Sequence, residues 1–435
     1  MRRPTRSPRA AWLSIPITVA LLTAAILVPA ASVTAAEPTD MVLEWNINAI
    51  NAIQNANGAT PPGLGQVPPL APVNLAIVHA AIYDAVNAID GTHKPYLLHI
   101  HAPPDASQAA AAATAAHHVL VGIVPTTLPQ VTASLDELYK ISLAKITDGK
   151  AKSDGITVGA AAAAVMLADR LDDGRNGTRT FPVGTKPGEW RTVPPLSNNV
   201  FSWVGEVRPF SLKSPDQIRI PAPPPLKSRK YAKEFDEVKT LGAKTGSTRT
   251  PDQEALANWI VVNPFSPVNT TFRGLATSRG LSTAQQARLF AMTSLSSADA
   301  LISCWNNKHL YLFWRPQTAI QEAATDGNRR TVADPAWESK FPTPGYPDWP
   351  SGYNCFAAGM MHAGKAFFGT DKVAFDIVNA TATRSYTRFT GYVLDAIEGR
   401  ILTGFHFRSA DELGASIGEK TARWVARHEF GPVHH

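Results

Sequence analysis

Apolar residues recur at the spacing of a helix along most of this 435-residue chain. In residues 72–89, Leu75, Val78 and Ile82 fall on one helix face, and Gly91 follows as a stop signal. The same period predicts further helices near residues 39–55, 106–122, 128–148, 156–172, 229–242 and 251–262. No convincing alternation of apolar and polar residues indicates a strand. The pattern therefore predicts an all-α protein.

The longest predicted helix begins at Ser282, because Ser282 and Gln285 have the spacing of a capping box. Its helical pattern continues to Trp314, and Pro316 is expected to end it. Aromatic residues crowd its last turns, so we expect this helix to be mostly buried: Trp305, Tyr311, Phe313 and Trp314.

Residues 176–227 interrupt the helical pattern, because their ten prolines exclude a long helix. Such a stretch is either a linker or an ordered strap lying across the helices. We expect a strap, because its aromatic side chains would be costly to leave in water: Phe181, Trp190, Phe201, Trp203 and Phe210.

The first 36 residues have the order of a secretory signal peptide. Four arginines precede an apolar run over residues 10–31, and small residues follow up to Ala36, where cleavage is expected. A retained membrane anchor is the alternative. No other segment is expected to be apolar for long enough to span a bilayer. The sequence therefore predicts a protein that is secreted or otherwise outside the cytoplasm.

Most of the net positive charge of the chain comes from this predicted signal peptide. Its removal takes away four arginines and no acidic residue, so the net charge falls from +6 to +2. No basic stripe interleaved with aromatic residues points to nucleic acid. We expect residues 37–435 to form one domain, with helices in 37–175, the strap, and helices in 228–435.

The chain has two cysteines, Cys304 and Cys355, which allow at most one internal disulfide. Export would permit that bond. Two free buried thiols are the alternative, and the sequence leaves both open.

The candidate chemistry lies in three clusters, of which Lys308 and Arg315 form the first. They are seven residues apart, close to two helical turns, so both are predicted to project from one face of the long helix. A solvated polar face is the alternative. Because buried cations need a partner, we expect these two to bind one anion.

Ser351 and Gly352 form the second cluster, between a proline-rich approach and a helical pattern that Gly369 is placed to end. Ser351 is thus expected at a helix N-terminus, where free amides and the helix dipole favour an anion. Glycine lets the backbone amide come close to a ligand. Simple capping by the serine is the alternative.

Arg400 and His406 form the third cluster. A single straight helix would place them on different faces, but Gly404 offers a break between them. Ser409 and Glu412 have capping-box spacing, so the next helix is expected to begin there and His406 to lie in the connection before it. A structural histidine is the alternative. Together the three clusters contain the groups that hold a tetrahedral oxyanion such as phosphate or vanadate.

The order and spacing of these groups resemble the signature of the vanadium-dependent haloperoxidase and type 2 phosphatidic acid phosphatase superfamily, K-x6-RP, PSGH and SR-x5-H. Residues 308–316 match fully, residues 350–352 match three of four positions, and residues 400–406 match apart from Gly399 at the serine position. Residues 78–85, 187–190 and 298–300 resemble its bacterial secreted haloperoxidase-like branch.

The resemblance implies an all-helical bundle of the haloperoxidase and acid phosphatase type, with the strap packed on it. His406 would be the ligand of vanadium, or the nucleophile of a phosphatase. Vanadate, or phosphate in the same site, would be bound by Lys308, Arg315, Ser351, Gly352 and Arg400. Hydrogen peroxide and a halide or small organic substrate would be the reactants.

Two departures from the family pattern concern proton transfer and histidine orientation. Tyr353 replaces the PSGH histidine, and a tyrosine with a reference pKa of about 10 is a poor proton shuttle at neutral pH. The acid four residues after the ligand histidine is also missing, because Ala410 stands there and Asp411 is one place later.

The first hypothesis is therefore a secreted vanadate-dependent haloperoxidase-like enzyme. Its catalytic residues would be Lys308, Arg315, Tyr353, Arg400 and His406. An acid phosphatase with a phosphohistidine intermediate is one alternative. A catalytically impaired phosphate or vanadate binder, suggested by Tyr353, is the other.

Overall fold

Helices make up most of the computed structural model, which describes residues 40–55 and 69–433. Within these residues the α-helices are α1 Met41–Asn55, α2 Leu70–Asp90, α3 Gln108–Ile123, α4 Pro129–Ala144, α5 Lys150–Asp169, α6 Arg229–Leu241, α7 Pro251–Ile260, α8 Phe265–Ser278, α9 Thr283–Tyr311, α10 Pro316–Gln321, α11 Gly352–Phe368, α12 Phe389–Leu402 and α13 Arg408–His428. Short 3₁₀ helices cover Ser202–Glu206 and Ala323–Thr325. The predicted all-α class is confirmed.

The chain groups into two units, Met1–Ala36 and Glu37–His435. The first unit lies outside the described residues, and so do the signal-peptide prediction and its cleavage site. In the second unit, α2, α3 and α5 pack on one another, as do α9, α11 and α13. The contact between α2 and α9 joins these two sets of helices.

The helix α2 corrects the expectation that no segment beyond the leader is long and apolar enough to cross a bilayer. Among the described residues, Leu70–Asp90 alone meets that test by length and composition. However, 89% of its most apolar window is buried inside the protein. The apolar character of α2 is therefore that of a core helix.

A small β-hairpin departs from the expectation of no strand. Strand β1, Phe375–Val378, pairs antiparallel with β2, Thr383–Tyr386, and the ring of Phe375 stacks on that of Tyr386 at 5.5 Å. In β1 buried and exposed residues alternate over four positions. That alternation is too short to stand out in the sequence.

The predicted helix from Ser282 to Trp314 is in fact two elements. Ser282 caps α9 through the expected capping box with Gln285, but α9 ends at Tyr311, and Leu312 adopts a left-handed conformation with φ of 45°. Pro316 does not end this helix; it is the first residue of α10. The helix α8 was not predicted, because Pro264 and Pro267 at its start resemble a loop signal.

The proline-rich strap, residues 176–227, is ordered and packed on the helices as predicted. The Asp299 carboxylate in α9 accepts hydrogen bonds from the backbone amides of Phe210, Ser211 and Leu212 at 2.7–2.9 Å. The guanidinium of Arg170 lies 4.0 Å from the centre of the Phe210 ring. Four of the five strap aromatics are buried, namely Phe181, Trp190, Trp203 and Phe210.

Candidate active site

Lys308 lies in the last turn of α9 and is completely buried. Its Nζ donates to the backbone oxygens of Pro347 at 2.5 Å and Asp348 at 3.1 Å, and lies 5.2 Å from the centre of the Tyr346 ring. Burial lowers the pKa of Lys308 to about 8. The amine is therefore mostly charged at neutral pH, and one N–H is left for a further acceptor.

Arg315 approaches the same ring from a different element. It is the N-terminal cap of α10, beyond the turn at Leu312, and its guanidinium carbon lies 4.9 Å from the centre of the Tyr346 ring. Nε donates to the backbone oxygen of Tyr346, and Nη1 to that of Phe405. Lys308 and Arg315 thus converge as predicted, but the reason given, a shared face of one helix, was wrong.

Arg400, in the last turn of α12, is held by aromatic rings. Its guanidinium carbon lies 5.1 Å from the centre of the Tyr353 ring and 4.5 Å from that of Phe405. Nε is buried without a hydrogen-bond partner. Cation–π contacts orient a guanidinium without occupying its N–H groups. Arg400 therefore keeps donors for a ligand.

His406 lies in the connection between α12 and α13, as predicted. Its Nδ1 is 2.5 Å from Oδ1 of Asp348, and its Nε2 is 3.1 Å from Nη1 of Arg315. Burial, and then the charges of Arg315, Lys308 and Arg400, lower the pKa of His406 well below its usual value. The imidazole is therefore neutral. With the imidazole proton on Nδ1 and donated to this carboxylate, the Nε2 lone pair would face the cations.

The start of α13 differs from the expectation. Phe407 is the N-cap residue, α13 begins at Arg408, and no side chain caps it. Ser409 does not form a capping box with Glu412, because its hydroxyl donates to the carboxylate of Glu234 in α6. The connection that holds His406 is consequently two residues shorter than predicted.

Ser351 is the N-cap residue of α11, as predicted, and Gly369 ends that helix in the left-handed conformation. The Ser351 amide donates to the backbone oxygen of Ala410, which joins α11 to α13. A Cβ at Gly352 would lie 2.6 Å from the Trp305 ring, so only glycine fits there. The roles of Ser351 and Gly352 as anion ligands stay predictions.

A cavity of about 310 Å³ opens onto these groups. Four predicted site residues line it, namely Gly352, Tyr353, Arg400 and His406. Its other walls are mostly apolar or aromatic: Val261, Asn263, Pro264, Trp305, Pro342, Pro344, Tyr346, Phe356 and Phe405. Lys308, Arg315 and Ser351 do not line the cavity, and Lys308 and Arg315 lie against its Tyr346 wall.

The surroundings of Tyr353 do not suit a residue that transfers protons. Its hydroxyl lies 2.9 Å from that of Tyr392 in α12, and its ring lies beside Arg400. Burial raises the pKa of Tyr353 to about 12, although the bond to Tyr392 opposes this. The phenol is therefore neutral at physiological pH.

Sequence reasoning missed Asp348, whose carboxyl group contacts Nδ1 of His406. It stands three residues before Ser351, inside a buried proline-rich and aromatic segment, and such an isolated buried acid was a signal that could have identified it. Asp411 instead accepts a hydrogen bond from Asn354 at 2.8 Å. Burial raises the pKa of Asp348 to about 7, while Arg315 and Lys308 oppose the shift.

The structure explains why Gly399 stands at the serine position of the family pattern. A Cβ on Gly399 would lie 2.7 Å from Cγ2 of Ile260 at the end of α7. Real Cβ atoms do not approach so closely, so the Ile260 side chain occupies the space that a serine would need.

The donor set fits a small oxyanion. Three cationic side chains are buried close together, and Nη2 of Arg315 and Nε of Arg400 have no hydrogen-bond partner. Buried N–H groups without acceptors are costly, and a bound anion would satisfy them. Among the described residues, no group of three His, Cys, Asp or Glu is placed to hold a metal cation.

Comparisons with known proteins agree with this fold. A family model, the VCPO second helical-bundle domain, matches residues 288–434. The first bacterial vanadium-dependent iodoperoxidase superposes with a TM-score of 0.74, covering 91% of this chain and 97% of its own at 22% identity. No curated protein is significantly similar in sequence.

A bacterial vanadium-dependent chloroperoxidase superposes as well. Its holo form has a TM-score of 0.65 and 19% identity, covering 90% of this chain and 96% of its own. Its apo form has a TM-score of 0.62 and 18% identity, covering 82% and 94%. Residues 288–434 therefore match the second helical-bundle domain of the VCPO family model, and the chain as a whole has the fold of the bacterial vanadium-dependent haloperoxidases.

Proposed function

We propose that this protein is a vanadate-dependent haloperoxidase-like enzyme that oxidises halide with hydrogen peroxide. One observation carries the proposal: three buried cations, two of them with unpaired N–H groups, surround the neutral imidazole of His406. Such a set neutralises an oxyanion and offers it one nitrogen ligand.

The residues have distinct tasks in this proposal. Lys308, Arg315 and Arg400 hold the oxygens of vanadate, the hydroxyl and amide at Ser351 and Gly352 assist, and His406 Nε2 is the ligand. Bound vanadate would supply the centre at which peroxide becomes reactive toward halide. The buried cations stabilise negative charge that develops there, since they act in a site of low dielectric constant. The apolar cavity walls limit the access of water.

The test is titration of the purified protein with vanadate, followed by peroxide-driven bromination of a phenolic dye. We expect binding of one equivalent, activity that requires vanadate, and loss of that activity in His406→Ala. Fully bound vanadate with no bromination at any pH would overturn the assignment. A matched control is His362→Ala, which removes another partly buried histidine, on α11.

The environment of Tyr353 favours a second candidate, a catalytically impaired phosphate or vanadate binder. Its phenol is paired with Tyr392 and its pKa is raised to about 12, so it supplies no proton near neutral pH. An acid phosphatase is less well supported, because the leaving alkoxide needs such a proton. Tight anion binding without bromination would select the binder, and Tyr353→His should then raise turnover. Hydrolysis of a phosphate ester without vanadate would select the phosphatase.

We also propose that the protein is exported, because residues 1–36 have the order of a signal peptide. Expression of the full chain in a bacterial host should give an extracytoplasmic protein whose N-terminus follows Ala36. An intact N-terminus in the cytoplasmic fraction would contradict this.

A further inference from the structure

The segment of Tyr346, Pro347 and Asp348 contacts three of the proposed site groups. The backbone oxygen of Tyr346 accepts from Nε of Arg315, and those of Pro347 and Asp348 accept from Nζ of Lys308. The Asp348 side chain then reaches His406 at 2.5 Å. One short piece of chain therefore fixes two cations and the imidazole relative to one another.

We propose that Asp348 is the positioning residue of His406. Its carboxylate accepts the Nδ1 proton, sets the angle of the ring and keeps the proton off Nε2. The Nε2 lone pair is then available to the oxyanion held by Arg315, Lys308 and Arg400. This inference rests on the proposed function, because it assumes that His406 Nε2 is the ligand atom.

Asp348 can do this because no other described group hydrogen-bonded to Nδ1 can accept its proton. The other contact of Nδ1 is Nη1 of Arg315 at 3.4 Å, and a guanidinium has only donors. Without the carboxylate, a proton on Nδ1 would be a buried donor with no acceptor. The same guanidinium nitrogen also lies 3.1 Å from Nε2, so without the carboxylate a proton on either ring nitrogen would face a donor, and neither the ring angle nor the tautomer would be fixed.

Asp348 itself is held rigidly. Its amide donates to the backbone oxygen of Phe313 at 3.0 Å, its own backbone oxygen accepts from Lys308, and its side chain is completely buried. A carboxylate oxygen of Asp348 lies 3.8 Å from Nη1 of Arg315. Support of this kind lets an orienting group fix a ligand to within a fraction of an ångström.

The neighbouring acid provides a matched comparison. Asp411 is also completely buried and lies close enough to Arg400 to perturb its pKa, yet its carboxylate binds Asn354 rather than His406. Asp348→Leu and Asp411→Leu each remove one buried carboxyl group near the cations. Only the first removes the acceptor of Nδ1.

The first measurement is the tautomer of His406 in the ligand-free protein, from ¹⁵N chemical shifts of histidine-labelled protein, assigned by loss of the signal in His406→Gln. We expect the Nδ1–H tautomer alone in the wild type and in Asp411→Leu, and a mixture of the Nδ1–H and Nε2–H tautomers in Asp348→Leu. A purely Nδ1–H imidazole in Asp348→Leu would contradict the proposal. An Nε2–H tautomer in the wild type would overturn the proposal without any variant, even if Asp348→Leu fails to fold.

The second measurement compares vanadate with inorganic phosphate as probes. Asp348→Leu should bind vanadate about 10- to 100-fold more weakly, as for the loss of other groups that orient metal ligands. Phosphate, held by charge alone, should bind as tightly or more tightly, because a nearby negative charge is gone. Equal weakening of both anions, or unchanged vanadate affinity, would overturn the proposal. If His406 has the expected Nδ1–H tautomer but the vanadate-loaded wild-type protein does not brominate the dye, the result would contradict the proposed function alone.

Discussion

The guanidinium carbon of Arg400 lies 5.1 Å from the centre of the Tyr353 ring, while the Tyr353 hydroxyl pairs with that of Tyr392. The residue at the position of the family histidine thus supports a cation with its ring and faces another phenol with its oxygen. Its ring and its hydroxyl can be tested separately.

Removal of the hydroxyl alone should matter little to anion binding. Tyr353→Phe keeps the ring beside Arg400, so phosphate affinity should stay within about threefold, with a stability loss of about 1 kcal/mol for one hydrogen bond. Tyr353→Ala removes the cation–π support and should weaken phosphate binding about tenfold. Calorimetric titration of each variant with phosphate distinguishes these two effects. An equal loss in both variants would show that the hydroxyl contacts the anion.

The charge of Arg400 should not be replaceable by a lysine. Arg400→Lys keeps a positive charge but loses the planar donors that the rings of Tyr353 and Phe405 orient. We expect vanadate and phosphate to bind about 10- to 100-fold more weakly, as for loss of charge-assisted hydrogen bonds. Arg408→Lys, which changes an arginine paired with Glu237 and Glu398, is the control and should bind normally. Full affinity in Arg400→Lys would contradict the assigned role.

Anion binding should weaken as the pH rises through about 8. The pKa of Lys308 is lowered to about 8 by burial, so the amine is protonated below that pH and neutral above it. An anion binds the protonated form more tightly, so affinity is full below pH 8 and lost above it. Sulfate is the suitable probe, since its own charge does not change in this range. Lys308→Met should bind weakly at pH 7 and lose the step near pH 8, leaving only the weakening that ionisation of Asp348 causes near pH 7, whereas an unchanged step near pH 8 would assign the titration to another group.

Loss of the carboxylate that anchors the strap should destabilise the protein. Asp299→Ala leaves the amides of Phe210, Ser211 and Leu212 without their acceptor, and we expect the free energy of unfolding in urea to fall by about 3 kcal/mol. Asp299→Asn keeps one oxygen as an acceptor and should lose less. Faster proteolysis within residues 176–227 should accompany the loss. A change below about 1 kcal/mol would mean that packing alone holds the strap.

The two cysteines should both be free thiols that do not react in the native protein. Cys304 and Cys355 are completely buried, and burial raises the pKa of Cys355 well above its usual value. A thiol reagent should count no cysteine in native protein and two in unreduced, unfolded protein. A count of zero after unfolding would indicate a disulfide between α9 and α11.

The sequence predicted the structure best where that structure depends on residues close together in the chain. The capping box at Ser282, the helix start at Ser351 and the connection holding His406 each depend on residues within a few positions, and each is present in the structure. The end of α9 was missed because it depends on Leu312 in a left-handed conformation, which leucine rarely adopts and does not signal.

The contact between Asp348 and His406 could not be predicted for a different reason. The two residues are 58 positions apart, and their pairing depends on how α9, α11 and α13 pack. Local patterns carry no information on such packing. In the sequence, Asp411 is the acid nearest to the expected orienting position after His406, but in the structure its carboxylate is bonded to Asn354.

The close approach of Ile260 to Gly399 implies that these two positions constrain each other. The Cβ of Ile260 would itself lie 2.9 Å from a Cβ at 399, so a hydroxymethyl group there becomes sterically possible only once residue 260 is trimmed to glycine. Homologous chains with serine at the first position should therefore have a smaller residue at the second. Gly399→Ser alone should be poorly tolerated, and the stability that it costs should be smaller in a protein that already carries Ile260→Gly.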